Sequence, residues 1–283
     1  MSGEFPRTTV GGMSLSRMII GTNWFLGFSH TSLAQDNFIK SYQTRENVGE
    51  ILTVFMKAGV DAIMGDRNQM LCDAIDDAQQ RTGRKMIGIF TPGFDVTGNG
   101  PPEEQPEAQF DRCKKLGATF CFPHTTITEM LIDKRDKVIR DLDKYTKMIR
   151  DRGMIPGLSC HMLEAITYAD AQGADIETYI QLYNAAGFLM QAEADWVMKI
   201  IHDAKKPVMI IKPLAAGRLL PVVGLTFVWN TIRDQDMVTI GTTTPDEARE
   251  VIDISLDLLN RRVPDYKLQR TRSKSTLDVE QDK

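Results

Sequence analysis

The sequence contains no CxxC or other paired cysteine spacing. Its four cysteines, Cys72, Cys113, Cys121 and Cys160, are scattered, and two lie in or beside buried-looking apolar runs. The expected setting is therefore a reduced, cytoplasmic one, without a disulfide framework. No apolar run approaches the ~20 residues of a membrane span, and the polar start MSGEFPRTT has no signal-peptide apolar region. Positive charge is not in excess: 34 Lys and Arg stand against 38 Asp and Glu. A net charge of −4 gives no general attraction to nucleic acid or anionic membranes, so the expected partner is a small molecule, with self-association into a homo-oligomer left open. HxxxH and HExxH spacings are absent too, and the chain has four histidines in all.

What is present is a repeat of alternating character. Eight short apolar runs, each ending in small or polar residues and each followed by a helix-like stretch, recur along the chain: Arg17–Gly21, Val60–Met64, Met86–Phe90, Ala118–Phe122, Met154–Leu158, Tyr179–Leu182, Val208–Ile211 and Met237–Ile240. A strand and a helix repeated eight times over about 250 residues predict a (β/α)8 barrel, an α/β TIM barrel whose active site lies at the C-terminal strand ends. At 283 residues, with 42% hydrophobic and 25% charged, the chain is expected to form one domain over 1–283. Ahead of the first run, PRTTVGGMSLSRMII reads as a β-hairpin around Gly11 and Gly12, placed to plug the N-terminal end of the barrel. Apolar positions at helical spacing, such as Val48, Ile51, Leu52 and Phe55, or Val138, Leu142, Tyr145 and Ile149, mark packing faces. Residues 261–283 are charged and poor in apolar side chains, which predicts a tail.

Two strand-to-helix connections exceed the usual length of about 2–6 residues. One runs from Asn23 to about Thr44 and is rich in aromatics, with Trp24, Phe25, Phe28, Phe38 and Tyr42 available as pocket wall or surface cover. The other, TPGFDVTGNGPPEEQPE from Thr91, reads as loop, with its carboxylates in solvent.

The strand ends then form a ring of polar residues: Asn23, Asp66 and Arg67, Thr91, His124, Ser159 with Cys160 and His161, Gln181 with Asn184, Lys212, and Gly241 to Thr244. Three of the four histidines, His30, His124 and His161, fall in these loops. His124 and His161 sit on adjacent strands about 4.8 Å apart, so both rings can reach one substrate or one metal. The candidates for chemistry are His124, His161, Asp66 and Lys212, with His124, His161 and Asp66 as a speculative divalent-metal set. Asn23, Trp24, His30, Arg67 and Asn184 are candidates for substrate contact. In GTTTPDEARE, Thr244 is a natural N-cap, with Pro245 at the first helical position and Glu247 completing a capping box. The amides before that helix could hold a phosphate, although Asp246 and Glu247 would oppose an anion.

Three stretches resemble the aldo/keto reductase superfamily: TTVGGMSLSRMIIGT, then YIQLYNAAGFLMQAEADWVMKIIHDAKKPVMIIKPLAAGRL, then GLTFVWNTIRDQDMVTIGTTTPDEAREVIDI. KPLAAGRL followed by IGTTTPDEARE is the specific part of the match. The resemblance implies a (β/α)8 barrel with an N-terminal hairpin and, in most members, NADPH-dependent reduction of aldehydes and ketones. It also implies that Ser159 and Gln181 bind the nicotinamide amide, that Gly241, Thr242 and Thr243 form the cofactor-phosphate loop, and that His124 is the catalytic histidine. The family's catalytic Asp, Tyr and Lys are not retained: Met64, Gln69 and Thr91 stand in their places, and Cys160 replaces a nicotinamide-contacting Asn.

Without that proton donor a carbonyl accepts hydride poorly. The first expectation is therefore an enzyme working by acid/base proton transfer, of isomerase, epimerase or lyase type, on a small sugar-like or carbonyl substrate, with metal assistance open. The alternative is a divergent NAD(P)-dependent oxidoreductase in which His124 or Asp66 supplies the proton. The lack of basic residues around Thr242–Glu247, apart from Arg249, speaks against NADPH there. A catalytically inactive barrel serving as a ligand-binding or interaction module is the third reading.

Overall fold

The computed structural model describes residues 4–266, 268–269 and 271–277. Each apolar run becomes a strand: Met18–Gly21 (β1), Ala62–Met64 (β2), Ile87–Phe90 (β3), Ala118–Cys121 (β4), Ile155–Pro156 with Leu158–Ser159 (β5), Tyr179–Leu182 (β6), Val208–Ile211 (β7) and Met237–Ile240 (β8). Neighbours in this order pair in parallel, and β8 pairs with β1. The two halves of β5 are the two ends of the sheet. Ile155 and Pro156 pair with Phe120 and Cys121 of β4, while Leu158 and Ser159 pair with Tyr179 and Ile180 of β6. One continuous segment therefore closes the (β/α)8 barrel. The break at Gly157 has a steric cause, since a Cβ there would lie 2.5 Å from the Phe122 ring and 2.8 Å from the Thr178 carbonyl oxygen.

Strand alternation sorts the side chains between two layers. Ile19, Met64, Ile89, Phe120, Ile180, Met209 and Met237 fill the barrel interior, joined by Val10 and Leu15 of the hairpin Arg7–Val10/Met13–Ser16. The hairpin thus plugs the N-terminal mouth. Its reversal at Gly11 and Gly12 uses φ of 54° and 79°, a region open to glycine at no steric cost. Outward residues such as Met18, Ile20, Ile63 and Val238 pack beneath the helices, among them Arg45–Lys57 with Val48, Ile51, Leu52 and Phe55 inward. Each such aliphatic side chain contributes about 1.5–3 kcal/mol when fully buried. Side-chain caps fix several helix starts: Thr44 accepts from Asn47 N–H, Asn68 from Leu71 N–H and Thr244 from Glu247 N–H.

The long first connection is not loop throughout. It holds the helices Asn23–Leu26 and Leu33–Tyr42, the second started by Ser32, whose hydroxyl accepts from Gln35 N–H. The second connection is loop as expected, with a short 3-10 turn at Pro102–Glu104. Asp95 within it is a correction, because its carboxylate does not simply face solvent. It accepts from the Thr97 amide and hydroxyl, the Gly100 amide and the Gln105 side chain. Those bonds hold its carboxyl well below the usual range. Val138 belongs to a small antiparallel ribbon, Ile132–Asp133 with Val138–Ile139, and the helix with Leu142, Tyr145 and Ile149 inward begins at Leu142. In the tail, Arg272–Leu277 forms a 3-10 turn, while 267, 270 and 278–283 lie outside the described residues. No helix among the described residues is long and apolar enough to cross a membrane.

Candidate active site

A cavity of about 1110 Å³ opens at the C-terminal strand ends. Of the residues selected from the sequence, Asn23, Trp24, His30, Asp66, His124, Ser159, His161, Lys212, Gly241, Thr242 and Thr243 line it. The barrel brings these together because each parallel strand delivers its last residues to the same face.

Four candidates point elsewhere. Asn184 is fully buried, accepts from the Ala186 and Phe188 amides and donates to the Phe188 carbonyl, so it organises its own loop. Gln181 is buried behind the wall, where its amide donates to the His161 and Leu182 carbonyls; its Oε1 has no partner among the described residues. Arg67 lies over the Phe90 ring at 4.6 Å, against the space left by the missing Cβ of Gly88, with Nε and Nη2 buried and without hydrogen-bond partners among the described residues. Cys160 is buried, and burial pushes its thiol up to about 12, an inert group rather than a nucleophile.

His161 is the most connected of the histidines. Glu129, from the helix Thr125–Leu131, has its Oε1 3.8 Å from His161 Nδ1. The same oxygen accepts from the His161 amide at 3.2 Å and from the Thr125 hydroxyl at 3.1 Å. Burial, and then the Lys212 ammonium, hold the His161 imidazole below its ordinary pKa, while Glu129 pulls the other way. The sequence reading missed Glu129. Its signal was the Thr125/Glu129 pair at i, i+4, directly after the strand end that carries His124.

His124 has a structural duty. It is the N-cap of Thr125–Leu131, with Nδ1 accepting from the Thr126 amide at 3.3 Å and lying 2.9 Å from the Thr126 hydroxyl. A ring accepting at Nδ1 carries its proton on Nε2 when neutral, and burial favours that neutral form. His30 sits at φ 58°, its Nδ1 3.1 Å from the Phe28 carbonyl; burial and Lys212 lower its pKa.

The metal set does not assemble. Asp66 is two-thirds exposed on the rim and pairs with Arg112 at 3.3 Å, and His124 spends Nδ1 on its cap. Among the described residues no group of three or more His, Cys, Asp or Glu side chains is placed to hold an ion.

On the β7 side Lys212 is half-buried, and burial lowers its pKa. Arg218 stacks on Phe188 at 4.0 Å and donates to the carbonyls of Ala215 and His30. On the β8 side the cavity runs past Thr242 to Glu247 and Glu250 of the helix Pro245–Leu259. Here Glu247 turns back and accepts from both the amide (2.6 Å) and the hydroxyl (2.7 Å) of Thr243. The expected phosphate loop is therefore closed by the chain's own carboxylate. Thr22 and Thr242 contribute to the cavity lining, but their hydroxyl oxygens are buried and have no hydrogen-bond partner among the described residues.

No protein-family model and no curated protein matches the sequence. Solved structures do match its shape. An aldo-keto reductase assignment from Pseudomonas aeruginosa aligns with TM-score 0.62 at 13% identity, over 89% of this chain and 95% of that one. An aldo/keto reductase from Klebsiella pneumoniae, in complex with NADP and acetate, aligns with TM-score 0.54 at 14% identity, over 94% and 98%. A truncated 3-deoxy-D-arabino-heptulosonate 7-phosphate synthase from Thermotoga maritima aligns with TM-score 0.51 at 9% identity, over 91% and 90%. Similarity at this level carries the fold and leaves the reaction to the site. The chain thus has the aldo/keto-reductase barrel fold.

Proposed function

We propose that this protein is a nicotinamide-dependent oxidoreductase that interconverts an alcohol and a carbonyl on a small oxygenated substrate. The reading rests on the continuity of the cavity. It reaches from His124 and His161 past Lys212 to Glu250, and at about 1110 Å³ it is larger than a small carbonyl compound alone requires. Ser159 would meet the nicotinamide amide, and Glu250 is placed for a ribose hydroxyl. With Glu247 on the Thr243 amide, a 2′-phosphate would face a carboxylate, so the fit is to NAD(H) rather than NADP(H). When bound, the nicotinamide accepts or supplies the hydride.

The chain's own groups handle the proton. Glu129 lies on the Nδ1 side of His161, 3.8 Å away, which would leave Nε2 to take the substrate hydroxyl proton in oxidation and to return it in reduction. The depressed pKa of His161 keeps it in the accepting form at neutral pH. Lys212 places positive charge where an alkoxide develops. His124, donating from Nε2, can hold the substrate oxygen.

A second reading keeps the proton chemistry and omits hydride transfer. It is favoured by His161, with Glu129 behind it, and Lys212 lining one cavity, a set sufficient for isomerisation or elimination. Titration with NADH and with NADPH, followed by the fluorescence of Trp24 in the cavity wall, separates the two. The expected result is saturable NADH binding, tighter than NADPH. Absence of binding by either nucleotide removes the oxidoreductase reading and leaves proton transfer.

A further inference from the structure

We infer that Cys113 and Cys121 form an oxidative modification site beside the cavity, a thiol pair that hydrogen peroxide closes to a disulfide and whose closure shifts the cavity wall. Neither nicotinamide nor substrate takes part in it.

The chain brings these two thiols together on one tight helix-to-strand return. The helix Pro106–Lys115 turns Pro106, Phe110 and Cys113 inward, at the spacing that puts them on one face. It stops at Leu116, and Gly117, at φ 83°, reverses the chain directly into β4. Along β4 the side chains alternate, so Phe120 enters the barrel interior while Cys121 faces the helix layer, where Cys113 lies. The two side chains hydrogen-bond each other, and both are buried. All four cysteines are free thiols, and among the described residues the other two lack such a partner. Cys160 meets Glu129 and the Met162 amide, and Cys72 is half-buried near Arg67, Asp76 and Asp73.

The pair is asymmetric. Cys113 borders the cavity beside Gln109 and Arg112, whereas Cys121 is fully buried behind it. The hydrogen bond from Cys121 favours the Cys113 thiolate, against burial and with help from the Arg112 guanidinium. The same bond, together with burial, pushes the Cys121 thiol up. A peroxide, close to water in size, therefore meets from the cavity the sulfur that is the better nucleophile, and the second sulfur stands behind it as the resolving partner.

In the first step the Cys113 thiolate attacks one peroxide oxygen, the O–O bond breaks, and the departing hydroxide takes up the thiol's proton to become water. Cys113 is then a sulfenic acid. In the second, the Cys121 sulfur attacks the Cys113 sulfur, the S–O bond breaks, and the Cys121 proton leaves with the hydroxyl as another water. The two thiols have given up two electrons, and the peroxide has accepted them. Closure draws the sulfurs from hydrogen-bonding distance to about 2.05 Å, which pulls the helix towards β4. Both ends of the new bond lead to the site. Arg112, next to Cys113, pairs with Asp66 on the rim, and the chain runs from Cys121 through Phe122 and Pro123 to His124.

The test treats the full, reduced chain with hydrogen peroxide under native conditions, then unfolds it in an alkylating reagent to count the remaining thiols. The expected result is the loss of two of the four thiols, a peptide pair joined between Cys113 and Cys121 by mass spectrometry, and recovery of all four with dithiothreitol. NMR of the joined protein should show a shifted His124 ring signal, with His202, on the helix Ala194–Asp203, unmoved. Cys121→Ala should hold Cys113 at the sulfenic acid, where dimedone captures it, and Cys113→Ala should leave Cys121 unoxidised. The unsubstituted chain decides by itself if either variant fails to fold. Four thiols retained, oxidation at Cys72 or Cys160 with both members of the pair still alkylated, or Cys113 carried on to sulfinic acid beside a free Cys121 overturns the inference. So does a Cys113–Cys121 link that leaves the His124 signal in place.

Discussion

His124 carries a cap and a cavity-facing nitrogen on the same ring, so its substitutions separate two effects. Replacing it with Ala removes the acceptor for the Thr126 amide and should cost about 1 kcal/mol of stability. Asn, a strong N-cap residue, should restore that stability without restoring a ring Nε2 for the substrate. Urea unfolding of the two variants checks the first effect, and turnover of the Asn variant checks the second. Glu129 acts only through its neighbours and is a positioning residue. Glu129→Gln can still accept from the His161 amide and Thr125 hydroxyl, so the fold should persist, but its negative charge is gone. That charge is one of the influences raising the His161 pKa, so its removal should move the ring's titration to still lower pH. Histidine NMR reads this without any substrate, and an unchanged titration would remove Glu129 from the site.

At the level of elements, closure of the barrel depends on β5, which is two short pairings on either side of Gly157. A methyl group there meets the Phe122 ring from inside the barrel and a backbone oxygen of Thr178. The ring has packed neighbours and the carbonyl cannot swing away, so neither gives easily. Gly157→Ala should therefore lower stability by about 1–3 kcal/mol, read as a lower urea midpoint, and should loosen the segment that carries Ser159 and His161. Stability unchanged by this substitution would mean that β5 tolerates far more movement than its contacts indicate. The loop after β3 is held by two means, with Asp95 gathering the Thr97 and Gly100 amides and the Thr97 hydroxyl while Phe94 beside it packs on Phe110 and Tyr145.

Across the whole molecule, His30, His124 and His161 are all held below the ordinary histidine pKa of 6.5, chiefly by burial. The sign of the linkage follows from that direction. The unfolded chain takes up these protons at about pH 6.5, whereas the folded protein resists them until lower pH, so acid favours unfolding in the window between. Stability should fall as pH drops from about 7 through 6.5 towards the folded values, and His161→Gln should flatten part of that slope. Urea midpoints measured across this range test it. A stability that rises on acidification through the window would contradict the direction of all three shifts.

The eight apolar runs, the Gly11-Gly12 hairpin and the cap at Thr244 were legible because strand alternation, helical spacing and capping are set by residues adjacent in sequence. So was the ring of strand ends, since parallel strands must deliver their last residues to one face. The helix Leu33–Tyr42 was also written locally, in the Ser32 cap, but the aromatic content of the segment hid it. Side-chain direction at those ends was another matter. Asn184 and Gln181 turn to backbone groups, and Arg67 to an aromatic ring supplied by β3, contacts that exist only once separate strands meet. The partners of the ionisable groups came from tertiary structure in the same way: Glu129 for His161, Arg112 for Asp66, and, among the described residues, no carboxylate for Lys212. Local sequence thus determined the barrel and which residues reach its mouth. Only the folded structure decided which of them keep a free polar group there, because hydrogen-bond satisfaction and burial depend on neighbours distant in the chain.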